Sequence, residues 1–362
     1  VQAGGIEGWK EVYLASLSYH GQKDIVNIKR LRTLIKELPP FCSDFFRGIE
    51  TTTSTRTRLA YAYDLRIFFE FLKQSNPEIA KQKTPLTLSV LEQLTVTDME
   101  EYVDYIKCHP SLTSEDITNE ERGIMRKISS LRSFYNYYYQ NQRIEKNPAA
   151  LLRMPKLHEK NIIRLEIDEV AKLLDLVDDG EKLTEKQKLY HKQTRVRDLA
   201  LLSLLLGTGI RVSECVGLNL DDIDLEACGA RVYRKGGKEA IVYFSDEVRD
   251  TLEAYIQERK ETEALPGHEE ALFLSLQKKR LSVRSVENLV KKYSRLITPL
   301  KKITPHKLRS TYGTNLYKET GDIYLVASVL GHSDVNTTRK HYAAQEDERR
   351  RSARNIVKLR EP

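Results

Sequence analysis

The sequence predicts a mainly α-helical protein with one small antiparallel β-sheet, arranged in two domains. The chain has 362 residues, 40% of them apolar, which is enough to fill a core in each of two domains. In several segments apolar residues recur at intervals of three and four, as on the buried face of an amphipathic helix. One segment instead alternates apolar and polar residues around Gly236-Gly237, which predicts a β-hairpin.

Residues 1–44 are predicted to form an N-terminal helical extension. Short helical patterns run from Trp9 to Leu17 and from Asp24 to Leu38, and the second ends at Pro39-Pro40. Helices usually end before a proline because its ring restricts the preceding residue. The sequence leaves the role of this extension open, and packing against the next domain is the simplest interpretation.

Residues 45–153 are predicted to form a first, helical domain. One of its helices follows the threonine-rich stretch 51–57, where Ser54 or Thr55 can cap it. The buried stripe of this helix recurs at steps of four, three and four residues: Tyr61, Leu65, Phe68 and Leu72. A second helix is predicted to begin at the cap Thr97 and to end before Pro110.

A third helix of the first domain combines an aromatic stripe with a basic face. The stripe consists of Ile124, Ile128, Leu131, Tyr135 and Tyr138. Residues 122–146 hold six Lys or Arg and one acidic residue. Arg122 and Arg126 share a face that differs from the stripe, so we predict that they contact the phosphates of a nucleic acid.

A basic linker at residues 154–163 is predicted to lead into a second domain at residues 164–344. A charged tail follows at residues 345–362, and a charged, insertion-like stretch at residues 178–194 interrupts the helical pattern. The other predicted helices of this domain are 165–176, 197–206, 246–261, 282–296, 306–318 and 324–330. Val232 and Tyr233, followed by apolar residues on a return strand, place the predicted sheet at residues 230–244.

Composition favours a polyanionic partner and a cytoplasmic location. The net charge is +7 and the sequence pI is near 9.0, and Lys and Arg gain affinity for phosphates by releasing counterions. The four cysteines show no C-x-x-C spacing, so we expect reduced thiols. No signal-peptide pattern or apolar run of eighteen residues is present, so we expect a cytoplasmic, nucleoid-associated protein without a membrane partner.

Six polar residues in short motifs predict a site that cleaves phosphodiester bonds. They are Arg211, Lys235, His306, Arg309, His332 and Tyr342. The N–H groups of arginine and histidine can stabilise the oxygens of a pentacoordinate phosphate without a metal ion. The tyrosine supplies a nucleophile, and the lysine supplies a proton for the leaving oxygen.

Two neighbouring residues are assigned supporting roles. Glu214, three residues after Arg211, is predicted to fix the Arg211 guanidinium or a histidine. Lys238 is the alternative to Lys235 and is predicted to bind a DNA phosphate. Cysteines and histidines lack zinc spacing, no acidic pair is placed for magnesium and no nucleotide motif is present, so neither a metal nor a cofactor is expected.

The ordered set of arginine, lysine, His-x-x-Arg, Gly-His and tyrosine resembles the tyrosine site-specific recombinases, the family of phage-type integrases and Xer proteins. The resemblance covers roughly residues 45–350, and the ordered set is specific. It implies that a core-binding domain and a catalytic domain close around duplex DNA as a C-shaped clamp. It also implies that Arg56 and Arg58 contact the DNA backbone.

The resemblance further implies strand exchange through a 3′-phosphotyrosyl intermediate and a four-way junction. A homo-tetramer would act on two inverted-repeat DNA sites, with the charged tail docked on a neighbouring protomer and with a directionality factor or accessory protein as a further partner. The N-terminal extension and residues 178–194 favour a mobile-element integrase or a single-component Xer-like recombinase. His332 and Tyr342 are ten residues apart, one more than the commonest family spacing.

Two alternative functions share parts of this pattern. A type IB topoisomerase uses the same tyrosine chemistry but relaxes supercoils without a defined site. A non-catalytic DNA-binding accessory protein would keep the scaffold and lose the chemistry. The His-x-x-Arg and Gly-His motifs favour the recombinase, and competent residues at all six catalytic positions argue against loss of activity.

Overall fold

A computed structural model describes residues 18–81, 84–110, 116–157, 163–234, 237–332 and 335. These residues fall into two compact units, one within Leu17–Lys160 and one within Asn161–Pro362. Helices dominate both units, and the strands of this described part form small antiparallel sheets. The predicted fold class is therefore confirmed. The predicted helix at residues 9–17 and the charged tail lie outside the described residues.

The first unit consists of helices and a two-stranded sheet. Its helices are α1 (Tyr19–Ile35), α2 (Cys42–Gly48), α3 (Thr55–Ser75), α4 (Pro77–Lys81), α5 (Ser89–Gln93), α6 (Val96–Tyr105) and α7 (Glu121–Gln140), followed by a 3-10 turn at Pro148–Leu151. Strands β1 (Cys108–His109) and β2 (Ile117–Thr118) pair antiparallel. This short sheet has no counterpart among the sequence predictions.

Aromatic side chains fill the core of the first unit. The Phe134 ring lies edge-on to the rings of Phe45 and Tyr138, at centroid distances of 5.1 and 5.2 Å. Such contacts are favourable because the edge of one ring is electropositive and the face of the other is electronegative. Leu31 and Leu34 of α1 are buried in the same core. The described helix of the N-terminal extension therefore packs with the helices that follow it.

Local hydrogen bonds fix where α3 and α6 begin. Ser54 caps α3, as the sequence allows, because its Oγ accepts from the Thr57 N–H at 3.2 Å. Helix α6 begins two residues earlier than predicted, because Thr95 and not Thr97 is the cap. The Thr95 N–H donates to the Asp98 carboxylate at 2.7 Å, and the Thr95 Oγ accepts from the Asp98 N–H at 3.4 Å. This reciprocal pair is a capping box.

The second unit combines a three-stranded sheet with a larger set of helices. Its helices are α8 (Ile167–Asp179), α9 (Glu185–Thr208), α10 (Val212–Gly217), α11 (Asp246–Glu261), α12 (Val283–Ile297), α13 (Pro305–Thr320) and α14 (Ile323–Leu330), with a 3-10 turn at Leu220–Asp222. Strands β3 (Ile223–Asp224), β4 (Gly229–Tyr233) and β5 (Glu239–Tyr243) pair antiparallel in that order, and β4 and β5 form the predicted hairpin. Helix α9 packs against both α11 and α13.

The charged stretch at residues 178–194 contains the end of α8, a short connection and the start of α9, so α9 begins well before the helix predicted at residues 197–206. Thr184 caps α9 in a capping box with Gln187. His191 is buried one turn later, and its Nε2 forms a hydrogen bond with the Val177 carbonyl at 2.7 Å. The inward side of these turns is polar, so the apolar repeat of the later turns does not extend into them.

Candidate functional site

Helix α13 carries two predicted site residues one turn apart. Pro305 occupies its first turn, where the missing N–H has no intrahelical acceptor to lose. His306 follows at the exposed start of the helix, whereas Arg309 is buried. Arg309 Nη1 donates to the Gly209 carbonyl at 2.6 Å, and its Nη2 donates to the Leu330 carbonyl. One guanidinium thus joins the ends of two other helices.

The end of α9 positions Arg211. The helix ends at Gly209, whose φ of 64° lies in the left-handed region that glycine adopts without strain. Arg211 then precedes α10, where its backbone N–H and its Nη1 donate to the Glu214 carboxylate at 2.9 and 2.8 Å. The Glu214 side chain is 3% exposed and the Arg211 side chain 39% exposed. A buried carboxylate therefore orients a guanidinium that reaches solvent.

The last carbonyls of α14 collect three arginine side chains. Each carbonyl accepts from a different guanidinium: Val329 from Arg234 at 3.0 Å, Leu330 from Arg309, and Gly331 from Arg211 at 3.3 Å. Carbonyls at the end of a helix lack intrahelical partners and carry partial negative charge, so cations are favoured there. We call these three side chains and the three carbonyls the arginine clasp. His332 follows it directly in the chain, and its N–H donates to the Ala327 carbonyl at 2.9 Å.

The arginine clasp gathers positive charge at the end of α14. A guanidinium is planar and projects its donors in fixed directions, so bonds to backbone carbonyls set its orientation before any ligand arrives. Donors that are already oriented stabilise negative charge that develops on phosphate oxygens in a transition state. The arrangement is therefore chemically suited to hold a phosphate group beside His332.

Lys235 and Tyr342, the predicted acid and nucleophile, lie outside the described residues. Two backbone hydrogen bonds join residues that precede and follow Lys235 in the sequence. The Arg234 N–H donates to the Lys238 carbonyl at 2.7 Å, and the Gly237 N–H donates to the Arg234 carbonyl at 3.2 Å. Arg234, which precedes Lys235 in the sequence, is thus both a partner in these backbone hydrogen bonds and a member of the arginine clasp.

Comparison with known proteins identifies the family. The model of the phage integrase family matches residues 164–349, just over half of the chain. Tyrosine recombinase XerC from Caldanaerobacter subterraneus is 33% identical over 329 residues, which cover 88% of this chain and 86% of that protein. The chain belongs to the phage integrase family of tyrosine recombinases. The resemblance predicted from the motifs is confirmed, and the protein is a DNA breaking-and-rejoining enzyme of the site-specific recombinase class.

One further relative and two solved structures are also similar to this tyrosine recombinase. Tyrosine recombinase XerS from Lactococcus lactis is 30% identical over 340 residues, which cover 87% of this chain and 93% of that protein. The structure of XerH bound to a palindromic difH substrate has a TM-score of 0.62 at 18% identity and covers 84% of this chain and 80% of that chain. A lambda integrase dimer bound to a core site has a TM-score of 0.60 at 15% identity, with coverages of 83% and 94%. These two structures share the fold.

Among the predicted DNA contacts of this recombinase, Arg58 is placed differently from the prediction. Its side chain is 8% exposed, and its Nη1 pairs with Glu50 at 2.9 Å. Arg58 lies on the inward face of α3, one turn before the buried Ala62, so it contributes to the packing of the first unit. Arg56, two residues earlier, is exposed on the same helix. The sequence prediction failed for Arg58 because arginine at a helix start is usually solvated.

Arg122, Arg126 and Lys238 are exposed, as backbone-contacting residues require. Arg126 also pairs with Asp64, whose side chain is 1% exposed. Burial raises the pKa of Asp64, while the positive charges of Arg126 and Lys127 oppose this rise. Burial lowers the pKa of Lys127. Part of the charge of Arg126 therefore compensates a buried carboxylate.

Sequence reasoning did not single out Arg234, the third arginine of the clasp. It lies between a strand residue and the predicted acid Lys235, in a turn where basic residues are common on any surface. Its contact with α14 is made to a backbone carbonyl, which every residue type possesses. No local pattern could therefore have indicated this contact.

The described residues contain no group of three or more His, Cys, Asp or Glu that could hold a metal ion. Within this described part, no helix is long and apolar enough to cross a membrane.

The four cysteines are free thiols. Burial raises the pKa of the Cys42 and Cys215 thiols, which makes both poor nucleophiles.

Replacing Gly209 with alanine is expected to destabilise the second unit and loosen the arginine clasp. A Cβ at this position would lie 2.5 Å from the Tyr312 ring and 2.9 Å from the Leu330 side chain. The left-handed backbone and the overpacking together should lower the free energy of unfolding by about 2–5 kcal/mol. Urea unfolding followed by circular dichroism measures this change.

Gly267→Ala is the matched control for Gly209→Ala. Gly267 also has a positive φ, 82°, but a Cβ there would meet nothing within 4 Å. Only the backbone cost of about 1–2 kcal/mol should therefore appear. Equal losses of unfolding free energy in the two variants would contradict this prediction, because they would show that the Cβ introduced at position 209 is not overpacked.

Proposed function

We propose that this enzyme recombines two copies of a specific duplex DNA site, with Tyr342 as nucleophile and Arg211, Arg309, His306 and His332 holding the scissile phosphate. One observation carries the proposal: arginine side chains from three separate segments converge on the carbonyls that directly precede His332. Catalytic side chains that are far apart in the sequence thereby share one end of α14. A fold kept only for DNA binding has no need of this convergence.

In the proposed reaction the Tyr342 phenol attacks the phosphorus of a DNA phosphodiester. A bond forms between the tyrosine oxygen and phosphorus, and the bond between phosphorus and the 5′ oxygen breaks. Lys235 donates a proton to that leaving oxygen, and His306 or His332 accepts the phenol proton. The product is a 3′-phosphotyrosyl ester and a free 5′ hydroxyl. Because the ester keeps the energy of the phosphodiester bond, a different 5′ hydroxyl can attack it without ATP.

The two guanidiniums are proposed to divide the work at the phosphate. Arg211 is held on one side by Glu214 and reaches solvent on the other, so it can approach a DNA phosphate directly. Arg309 is buried and bonded to two backbone carbonyls. Its positive charge therefore stabilises the phosphate from the protein interior, where solvent screens the charge little. Lysine could not replace either fork, since it offers donors from a single nitrogen.

We propose duplex DNA as the partner, bound in the cytoplasm by both units. The charge of +7 supports this, as do XerH and lambda integrase, whose structures contain DNA. In this proposal residues 45–153 form the core-binding domain, residues 164–344 the catalytic domain and residues 154–163 the linker between them. The exposed side chains of Arg56, Arg122 and Lys238 contact the phosphates of the DNA backbone.

The relatives named XerC and XerS favour a Xer-like recombinase over a mobile-element integrase. We propose that four copies of this chain act on two inverted-repeat sites and exchange strands through a four-way junction. The charged tail at residues 345–362 would dock on a neighbouring copy. An accessory or directionality factor remains part of this proposal, as a protein that sets which exchange is completed.

The experiment that tests the proposal compares plasmids with one or two copies of a candidate site. The site is first selected by binding of the protein to random duplexes, and the plasmids are then incubated with the protein, EDTA and no nucleotide. Deletion or inversion between two directly or inversely placed copies is expected, with no product from one copy. Relaxation of both plasmids without rearrangement would instead indicate a topoisomerase. Binding without either product would contradict catalysis.

A further inference from the structure

Arg234 joins two parts of the proposed site that are 95 residues apart in the chain. Its backbone closes the hairpin turn, since its N–H donates to the Lys238 carbonyl and its carbonyl accepts from the Gly237 N–H. Its side chain leaves the turn and donates from Nη2 to the Val329 carbonyl at 3.0 Å. A single residue therefore connects the backbone hydrogen bonds among Arg234, Gly237 and Lys238 to the helix end that precedes His332.

The guanidinium of Arg234 also occupies space that only a glycine leaves open. A Cβ on Gly331 would lie 2.2 Å from Nη1 and 2.4 Å from Cζ of Arg234. Gly331 has a φ of 62°, so the left-handed backbone there favours glycine independently. The planar group lies against the Gly331 backbone while donating to Val329. These two contacts restrict both the position and the orientation of the side chain.

The side chain of Arg234 does not use all of its hydrogen-bond donors. Its Nε is buried, and within the described part of the chain it has no hydrogen-bond partner. A buried donor without a partner is unfavourable for stability. The arginine is thus poorly explained as a residue that only stabilises the fold, because its donors are not fully used.

We propose that Arg234 is a positioning residue for cleavage: it ties the Lys235 turn to α14, so that the lysine and His332 approach the same scissile phosphate. This inference rests on the proposed function and adds a residue to it. General acid catalysis requires the acid to lie within hydrogen-bond distance of the leaving oxygen. A turn tethered only by its own backbone would not meet that requirement reliably.

The test compares two DNA substrates in which only the leaving atom differs. Both carry the selected site as a nicked duplex that traps the covalent intermediate, and one has sulfur in place of the bridging 5′ oxygen at the scissile phosphate. A thiol has a pKa of about 8.5, so a sulfur leaving group departs near neutral pH without a proton from lysine. An oxygen leaving group needs that proton. A defect confined to the oxygen substrate therefore identifies faulty delivery of the acid.

Arg234→Ala is expected to slow adduct formation on the oxygen substrate by about 10–100-fold, the size of effect that a misplacement of roughly 1 Å produces. The sulfur substrate should restore its rate to near that of the wild type. Lys235→Ala should show the same pattern with a larger defect. Arg234→Lys should be intermediate, because lysine can donate to Val329 but lacks the planar group that lies on Gly331.

Arg231→Ala is the matched control, because Arg231 lies three residues earlier on β4, is 48% exposed and pairs with Asp222, which is not part of the clasp. It should cleave both substrates like the wild type. Equal slowing of Arg234→Ala on both substrates, or wild-type rates on both, would overturn the inference. A misfolded variant would fail on both, so the sulfur substrate also reports folding. Failure of the wild type on both substrates would instead overturn the proposed function itself.

Discussion

Replacing Tyr342 with phenylalanine is expected to abolish the covalent protein–DNA adduct and to leave DNA binding unchanged. The variant lacks only the phenol oxygen, which is the proposed nucleophile, and keeps the ring. The chain has nineteen tyrosines, so the assignment must be specific. Burial raises the pKa of Tyr135 and Tyr293, which makes these phenols harder to ionise. Adducts resistant to SDS, and binding measured by gel shift, provide the two readouts.

Tyr324→Phe is the control for the Tyr342 variant. Tyr324 is 71% exposed at the start of α14. Its replacement by phenylalanine therefore removes one phenol oxygen from the surface of the second unit. This variant should form adducts at the wild-type rate. If Tyr342→Phe still formed adducts, the nucleophile would be another residue. The assignment of Tyr342 from its position ten residues after His332 would then be wrong.

Replacing Arg309 with lysine is expected to slow adduct formation by about 100- to 1,000-fold, the usual effect of removing one preorganised donor of a transition-state charge. Arg309 reaches the Gly209 and Leu330 carbonyls with two different nitrogens. A lysine ammonium offers one nitrogen and cannot hold both helix ends in one geometry. Single-turnover rates on the nicked substrate measure the loss.

The loss in Arg309→Lys must be separated from a loss of stability, because Arg309 is 5% exposed. Urea unfolding under the same conditions gives that comparison. Arg249→Lys, at an arginine that is 37% exposed and pairs with Asp246 and Asp250, should change neither property. A folded Arg309→Lys enzyme with the wild-type rate would remove Arg309 from the proposed phosphate site.

The sequence predicted the helices whose buried face is apolar. Helix α3 follows the stripe that begins at Tyr61, and α7 follows the stripe that contains Tyr135, because periodic apolar residues leave few other ways to be buried. The start of α9 was missed because polar residues such as His191 occupy its inward face. Arg58 was misplaced for a related reason: its burial depends on a partner, Glu50, that no helical period reveals.

The motifs also predicted the family, but not how the site is held together. Arg211 and Arg309 were found as side chains with a recognisable chemistry. Their anchors are carbonyls of the backbone, such as those of Leu330 and Gly331, which carry no residue-specific signal. The contact between Arg234 and α14 depends on the same kind of atom. Tertiary geometry alone could reveal these bonds.

We propose that one tyrosine of this chain, Tyr342, breaks DNA at a defined site. The most direct measurement traps the wild-type protein on its selected nicked site, digests the DNA and protein, and maps the modified peptide by mass spectrometry. We expect a nucleotide joined through its 3′ phosphate to Tyr342. A nucleotide on another residue, a linkage through the 5′ phosphate, or a folded, DNA-bound protein with no modified peptide would contradict it.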